Sequence, residues 1–192
     1  MTVNIISAFP SPILQFGVDG FADQRDQIIR SIYSLKETTE SVSYSNDGGW
    51  QSPTQKPGPL VLFKSVDSIM TQFLNEDLQY SIGNVWYNVN TEGSFNHKHT
   101  HPCCDLGAVF YVKVPEGDCG RLEMENPNYF NQVKLLDAMK PNIKESMIAF
   151  NSMWLNPVEG CGFIFPSHLI HRVSKNNTQE DRISIAWNMH VN

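Results

Sequence analysis

Hydrophobic spacing along the chain changes from helical to extended near residue 80. Over residues 20–38, Phe21, Ile28, Ile29, Ile32 and Leu35 recur at three- and four-residue intervals with Asp, Gln and Arg between them. That spacing lays one face of a helix on a core. A second helix is predicted over residues 65–78, capped by Ser65 or Asp67, with a stripe of Ile69, Met70, Phe73, Leu74 and Leu78. Residues 3–16 read as an opening strand broken by Pro10 and Pro12. Residues 40–60 hold Ser-Asn-Asp-Gly-Gly-Trp-Gln-Ser and three prolines, and are predicted to form a long functional loop, a candidate substrate lid.

From residue 80 onward the period is two. Over residues 81–90, Val85, Tyr87 and Val89 share one face, and Trp86, Asn88 and Asn90 share the other, which suits a strand between a core and a polar cavity. Further short strands are predicted over residues 106–114, 121–125, 147–150, 162–165 and 182–190, with residues 126–145 irregular apart from a helical turn around 132–139. Helices followed by many short strands indicate an all-β sandwich or barrel with helices on one outer face. A parallel α/β sheet is disfavoured, because no helix alternates with the later strands.

Composition narrows the function classes. The 192 residues are 41% hydrophobic and 18% charged, enough for a packed core in one domain. The net charge of −6, with no Lys/Arg block, argues against non-specific nucleic-acid or membrane-surface binding. Cys103, Cys104, Cys119 and Cys161 contain no C-x-x-C pair and do not form a disulfide framework. With no basic n-region and no apolar run of membrane-spanning length, a soluble cytoplasmic protein with reduced thiols is expected. Monomer and homodimer both stay open.

Chemistry concentrates in two segments. Asn96-His97-Lys98-His99-Thr100-His101-Pro102 carries three of the six histidines, which would share one face of an extended strand. His171 follows the apolar run Phe163-Ile164-Phe165 and Pro166-Ser167, and so lies at a strand end. Two close imidazoles plus a third from a distant strand make a three-ligand site with open positions, as in non-haem iron oxygenases. Over residues 182–188 the even positions are Arg182, Ser184, Ala186 and Asn188, and the odd ones Ile183, Ile185 and Trp187. An arginine facing a cavity with a hydroxyl beside it is suited to holding a carboxylate.

These residues resemble the Fe(II)/2-oxoglutarate-dependent dioxygenases, in particular a branch found in bacteria and their phages. The likeness runs through Gly49-Trp50-Gln51-Ser52, Trp86-Tyr87-Asn88, the H-x-H-P segment, Val109-Phe110-Tyr111, Pro157-Val158-Glu159-Gly160, Phe165-Pro166-Ser167, His171 and Arg182-Ile183-Ser184. It covers roughly residues 45–190. The resemblance implies a mainly β (α+β) fold: a double-stranded β-helix, or jelly-roll, with N-terminal helices packed on one sheet. One domain would span residues 1–192, with a helical buttress over about 20–78 and a core over about 80–190. It further implies a hydroxylase of an unidentified substrate that uses Fe(II), 2-oxoglutarate and dioxygen. His99, His101 and His171 would ligate the metal, Arg182 and Ser184 would bind the far carboxylate of 2-oxoglutarate, and Tyr111 and Asn88 would also contact it.

The superfamily's first two ligands are H-x-D or H-x-E, whereas this chain has His99-Thr100-His101. His101 in the place of the acid, or Asp105 as the second ligand, are the two ways to complete the site. Rival readings are a zinc site of His99, His101 and a thiol, a non-catalytic metal- or carboxylate-binding jelly-roll, and a three-histidine oxygenase that uses no 2-oxoglutarate. His97 is expected to flank the site, His168 to face away or line its mouth, and His190 to be incidental. Cys119 and Cys161 are expected to be buried. Trp50 and Trp154 could line a groove or be buried.

Overall fold

A computed structural model of the chain describes residues 9–58, 60–128, 134–147 and 150–192. The strand expected over residues 3–16 lies partly outside the described residues; what is described of it is β1 (Leu14–Gly17). Helix α1 (Phe21–Thr38) follows, burying Phe21, Ile28 and Ile32 and stopping where Thr39 turns extended. The expected loop contains two short strands, β2 (Asn46–Asp47) and β3 (Trp50–Gln51).

Helix α2 (Leu60–Phe73) begins earlier and ends earlier than its predicted 65–78. Leu62, Phe63, Val66 and Met70 are its buried face. The run Leu60-Val61-Leu62-Phe63 is apolar throughout and so carries no period from which a helix start could be read. Phe73 and Leu78, assigned to the stripe, are exposed.

The remaining strands are β4 (Tyr80–Asn90), β5 (Phe95–His99), β6 (Leu106–Lys113), β7 (Leu122–Glu125), β8 (Ser152–Leu155), β9 (Cys161–Pro166), β10 (His171–Val173) and β11 (Arg182–Val191). Short helices α3 (Leu135–Ala138) and α4 (Pro141–Met147) lie between β7 and β8. The strand expected at 147–150 lies partly outside the described residues; Met147 closes α4, and β8 pairs with β7 on the side opposite β10. Proline is favoured in the first turn of a helix, and α4 opens on Pro141 within the stretch expected to be irregular.

Two antiparallel sheets result, ordered β1-β9-β6-β11-β4-β3 and β2-β5-β10-β7-β8, in a jelly-roll sandwich. Strand alternation splits the larger sheet into two chemistries. Val85, Val89, Phe110, Val112, Ile183, Ile185 and Trp187 point outward and pack with the buried faces of α1 and α2. Trp187 meets the edges of Phe63 and Phe16 at 5.5 and 6.4 Å. Burying each such side chain stabilises the fold by roughly 1.5–3 kcal/mol. The opposite face of β4, β6 and β11 turns toward the smaller sheet. A smaller apolar cluster of Tyr111, Leu122, Met124, Phe163, Phe165 and Leu169 fills part of that space, and a cavity takes the rest.

The segment between α1 and α2 walls this cavity. β2 pairs with β5 in one sheet and β3 with β4 in the other, so the turn between them bridges the sandwich. Gly49 in that turn has φ +65°, and a Cβ there would stand 2.7 Å from the Val89 carbonyl oxygen, so only glycine fits.

Candidate active site

The histidines converge through strand pairing. His99 closes β5 and is the cross-strand partner of His171, which opens β10; their ring centroids are 4.3 Å apart. His101 lies just past β5, where its main-chain N–H donates to the Ser167 carbonyl at 3.0 Å. Its ring stacks on Trp86 at 5.7 Å. One ligand nitrogen from each of the three histidines lies within 4.8 Å of the others. Among the described residues this is the group of His, Cys, Asp or Glu side chains so arranged.

Each ring is oriented through its Nδ1. His99 Nδ1–H donates to the His97 carbonyl at 2.7 Å and His171 Nδ1–H to the Leu169 carbonyl at 2.8 Å. A carbonyl can only accept, so Nε2 of each ring carries a bare lone pair. His101 Nε2 and His171 Nε2 are 3.1 Å apart. At that distance either His101 Nε2–H donates to the bare His171 Nε2 or a cation joins two lone pairs, and three imidazole nitrogens so placed fit a divalent transition metal. Burial pushes His171 down to about 3, helped by neighbouring His99, and burial likewise lowers His99 and His101. All three rings are therefore neutral near pH 7, the form a metal requires.

His97 does not share the face of His99. β10 sets His171 against His99 and Val173 against Asn96, so the single residue Arg172 opposes both His97 and Lys98, and the bulge in β5 turns His97 out. Its side chain is 62% exposed, near Asp47 at 3.4 Å. His168 is exposed and His190 is outside the cavity lining. The Asp105 carboxylate accepts from the Val191 main-chain N–H at 2.8 Å, away from the histidines. Cys104 donates its thiol to the His101 carbonyl, and Cys103 is exposed. Cys119 is buried and Cys161 half-buried.

The cavity, about 660 Å³, runs from the histidines to Arg182. Ser184 is the cross-strand partner of both Asn88 on β4 and Tyr111 on β6, so these three form one row across the sheet. Asn88 Nδ2 donates to Ser184 Oγ at 3.4 Å. Arg182 is 1% exposed, and its Nη1 donates to the Cys119 carbonyl at 2.6 Å. Among the described residues it forms no ion pair with a carboxylate. The Tyr111 hydroxyl is buried and finds no partner among the described residues, and burial pushes it up to about 12, so it stays a donor. A buried guanidinium without its counter-charge, beside an unpaired hydroxyl, fits a carboxylate ligand.

Several lining residues were not assigned a role from sequence. Asn188 touches His101, Trp86 stacks on it, and Asn96 and Gln51 are buried in the wall. Period-two alternation places Trp86 and Asn188 on the cavity face; nothing local signals Asn96, which the bulge turns inward. Of the other tryptophans, Trp50 is buried with its indole N–H donating to the Thr39 carbonyl, and Trp154 is exposed under Arg121. Among the described residues no helix is long and apolar enough to cross a membrane.

A family model described as "Putative 2OG-Fe(II) oxygenase" matches residues 84–188. No curated protein sequence matches the chain. Among solved structures, a prolyl-4-hydroxylase from Pseudomonas putida is similar with a TM-score of 0.63 at 15% identity, over 94% of this chain and 93% of that one. The α-ketoglutarate-dependent epimerase SnoN of nogalamycin biosynthesis gives 0.65 at 11% identity, over 94% and 78%. HygX from Streptomyces hygroscopicus, solved with nickel and 2-oxoglutarate bound, gives 0.57 at 14% identity, over 94% and 83%. At these identities the structures speak for the jelly-roll fold. The family model covers more than half of the chain and includes the histidines and Arg182, and the chain belongs to the 2OG-Fe(II) oxygenases, which use Fe(II), 2-oxoglutarate and dioxygen.

Proposed function

We propose that this oxygenase is a hydroxylase in which His99, His101 and His171 hold Fe(II) while Arg182 and Ser184 hold the far carboxylate of 2-oxoglutarate. The observation that carries this reading is the pairing, in one cavity, of three converging imidazole nitrogens with a buried arginine that has no acid partner among the described residues. The bound metal supplies the redox chemistry by which dioxygen decarboxylates 2-oxoglutarate and oxidises a C–H bond of the substrate.

The chain's residues do the positioning. Arg182, locked by the Cys119 carbonyl, presents the rest of its guanidinium to a carboxylate. Tyr111 O–H is free to donate to the same anion, and the Asn88–Ser184 pair completes the row beside it. The three ring nitrogens bring no negative charge, so an anionic group at the metal would come from the carboxylate of the co-substrate that Arg182 does not hold. Trp86, Tyr44 and Thr54 line the part of the cavity left for the prime substrate. Residues 52–55 are pinned to β4 by Ser52 N–H to the Tyr87 carbonyl and Gln55 N–H to the Val85 carbonyl, and Val42 and Ser45 are held by Gln51 and His97, so the segment is anchored to both sheets with the exposed Tyr44 between its anchors.

The test is succinate formation from 2-oxoglutarate. It should require Fe(II) and oxygen, vanish in His171→Ala, and in Arg182→Ala show a 2-oxoglutarate KM raised by at least about tenfold, as for loss of a charged hydrogen-bonded partner. Full turnover in either variant would overturn the assignment.

A further inference from the structure

We infer that Asn188 is a positioning residue for His101, fixing that ring so that its Nε2 faces the metal bare. The inference rests on the reading that His101 is a metal ligand. The three rings are held asymmetrically. His99 and His171 each donate Nδ1–H to the main-chain carbonyl two residues earlier, His97 and Leu169. Those acceptors come with the backbone. His101 lies beyond the end of β5 and has no such carbonyl; its Nδ1 instead meets Asn188 Oδ1 at 2.5 Å. One of the three ring orientations therefore depends on a side chain.

The sheet is shaped around that contact. On one side of β11, Trp187 pairs with Val85 and Met189 with Ile82, so β4 puts Gly83 and Asn84 opposite the single residue Asn188. A bulge of this kind re-aims a side chain. On the other side Asn188 pairs with Gly107 of β6. A Cβ on Gly107 would stand 3.1 Å from the Phe165 ring and 3.6 Å from His101 Cγ. The absent side chain lets the Phe165 ring pack close against β6, and the His101 ring lies at van der Waals distance beside it.

Amide orientation follows from the metal. If Asn188 turned its NH₂ to His101, Nδ1 would have to accept and the ring proton would move to Nε2. That proton would point at His171 Nε2, 3.1 Å away, where the cation belongs. With Oδ1 inward, Nδ1 donates and Nε2 is free. Partners of this type on a metal-bound histidine are worth about tenfold to a hundredfold in metal affinity.

The experiment uses zinc alone as the probe, which removes turnover from the readout. Zinc affinity is measured by competition with a chelating dye, and the ring N–H resonance of His101 is followed by NMR in the zinc-loaded, ¹⁵N-labelled protein. Asn188→Leu should bind zinc about tenfold to a hundredfold more weakly and lose the His101 N–H signal to solvent exchange. Asn188→Asp, which keeps an acceptor, should restore both. Wild-type zinc affinity with a persisting His101 N–H signal in Asn188→Leu would overturn the inference. Should thermal melting show that the leucine variant does not fold, Asn188→Ala is judged by the same two measurements. His101→Ala tests the parent reading separately: wild-type zinc affinity there removes His101 from the ligand set, whereas a weakened site with an inert Asn188 removes only the positioning role.

Discussion

At the scale of single residues, the cavity holds buried polar groups that lack partners among the described residues. Tyr111 shows this most simply. Its hydroxyl is buried and unpaired among the described residues, and such a group costs about 1–3 kcal/mol. Tyr111→Phe should therefore leave the ligand-free protein as stable or more stable, by up to about 1–2 kcal/mol, while raising the 2-oxoglutarate KM about tenfold. Thermal melts and a 2-oxoglutarate titration of succinate formation measure the two effects. An unchanged KM would show that the hydroxyl does not face the co-substrate. His97 illustrates the limit of residue-level reading: by strict alternation it matches His99, and a bulge alone separates them.

At the scale of elements, β11 was the most legible part of the chain. Its odd positions enter the core under α1 and α2 and its even positions line the cavity, as period two requires. Helix α2 was less legible because an apolar run has no phase. The loop that steadies Arg182 was not legible at all, since its role depends on a contact between residues far apart in sequence. Cys119 offers its carbonyl to Arg182, and Gly120 beside it has φ +80°. A Cβ at Gly120 would lie 2.2 Å from the Ser174 carbonyl oxygen and 2.7 Å from Arg182 Nη1. Gly120→Ala should destabilise the protein by about 1–3 kcal/mol through the left-handed backbone alone, and should weaken 2-oxoglutarate binding by displacing the guanidinium. Urea unfolding together with the 2-oxoglutarate KM checks this. Wild-type values for both would mean that the loop yields without moving Arg182.

At the scale of the whole molecule, the sandwich places three imidazoles where water is scarce, and that ties stability to pH. His171 is held at about 3 in the folded state, below its ordinary value near 6.5, and His99 and His101 are lowered too. Below pH 6.5 the unfolded chain takes up protons that the folded one refuses. Chelator-treated protein should thus hold its full stability above pH 6.5 and lose it progressively as pH falls toward 3. Urea midpoints between pH 7.5 and 5 should decline, and less steeply in His171→Ala; equal slopes in the two proteins would argue against burial of a neutral His171. The sequence by itself determined the alternation of β4 and β11, the helical buttress, the H-x-H-P segment and the Arg182-x-Ser184 pair, because these are local patterns of period and spacing. Only the tertiary structure decided which histidines converge, that Asp105 is engaged by Val191, and that Asn188 meets His101. Those outcomes depend on bulges and strand register, which arise from pairing between distant segments and leave no periodic mark on either one.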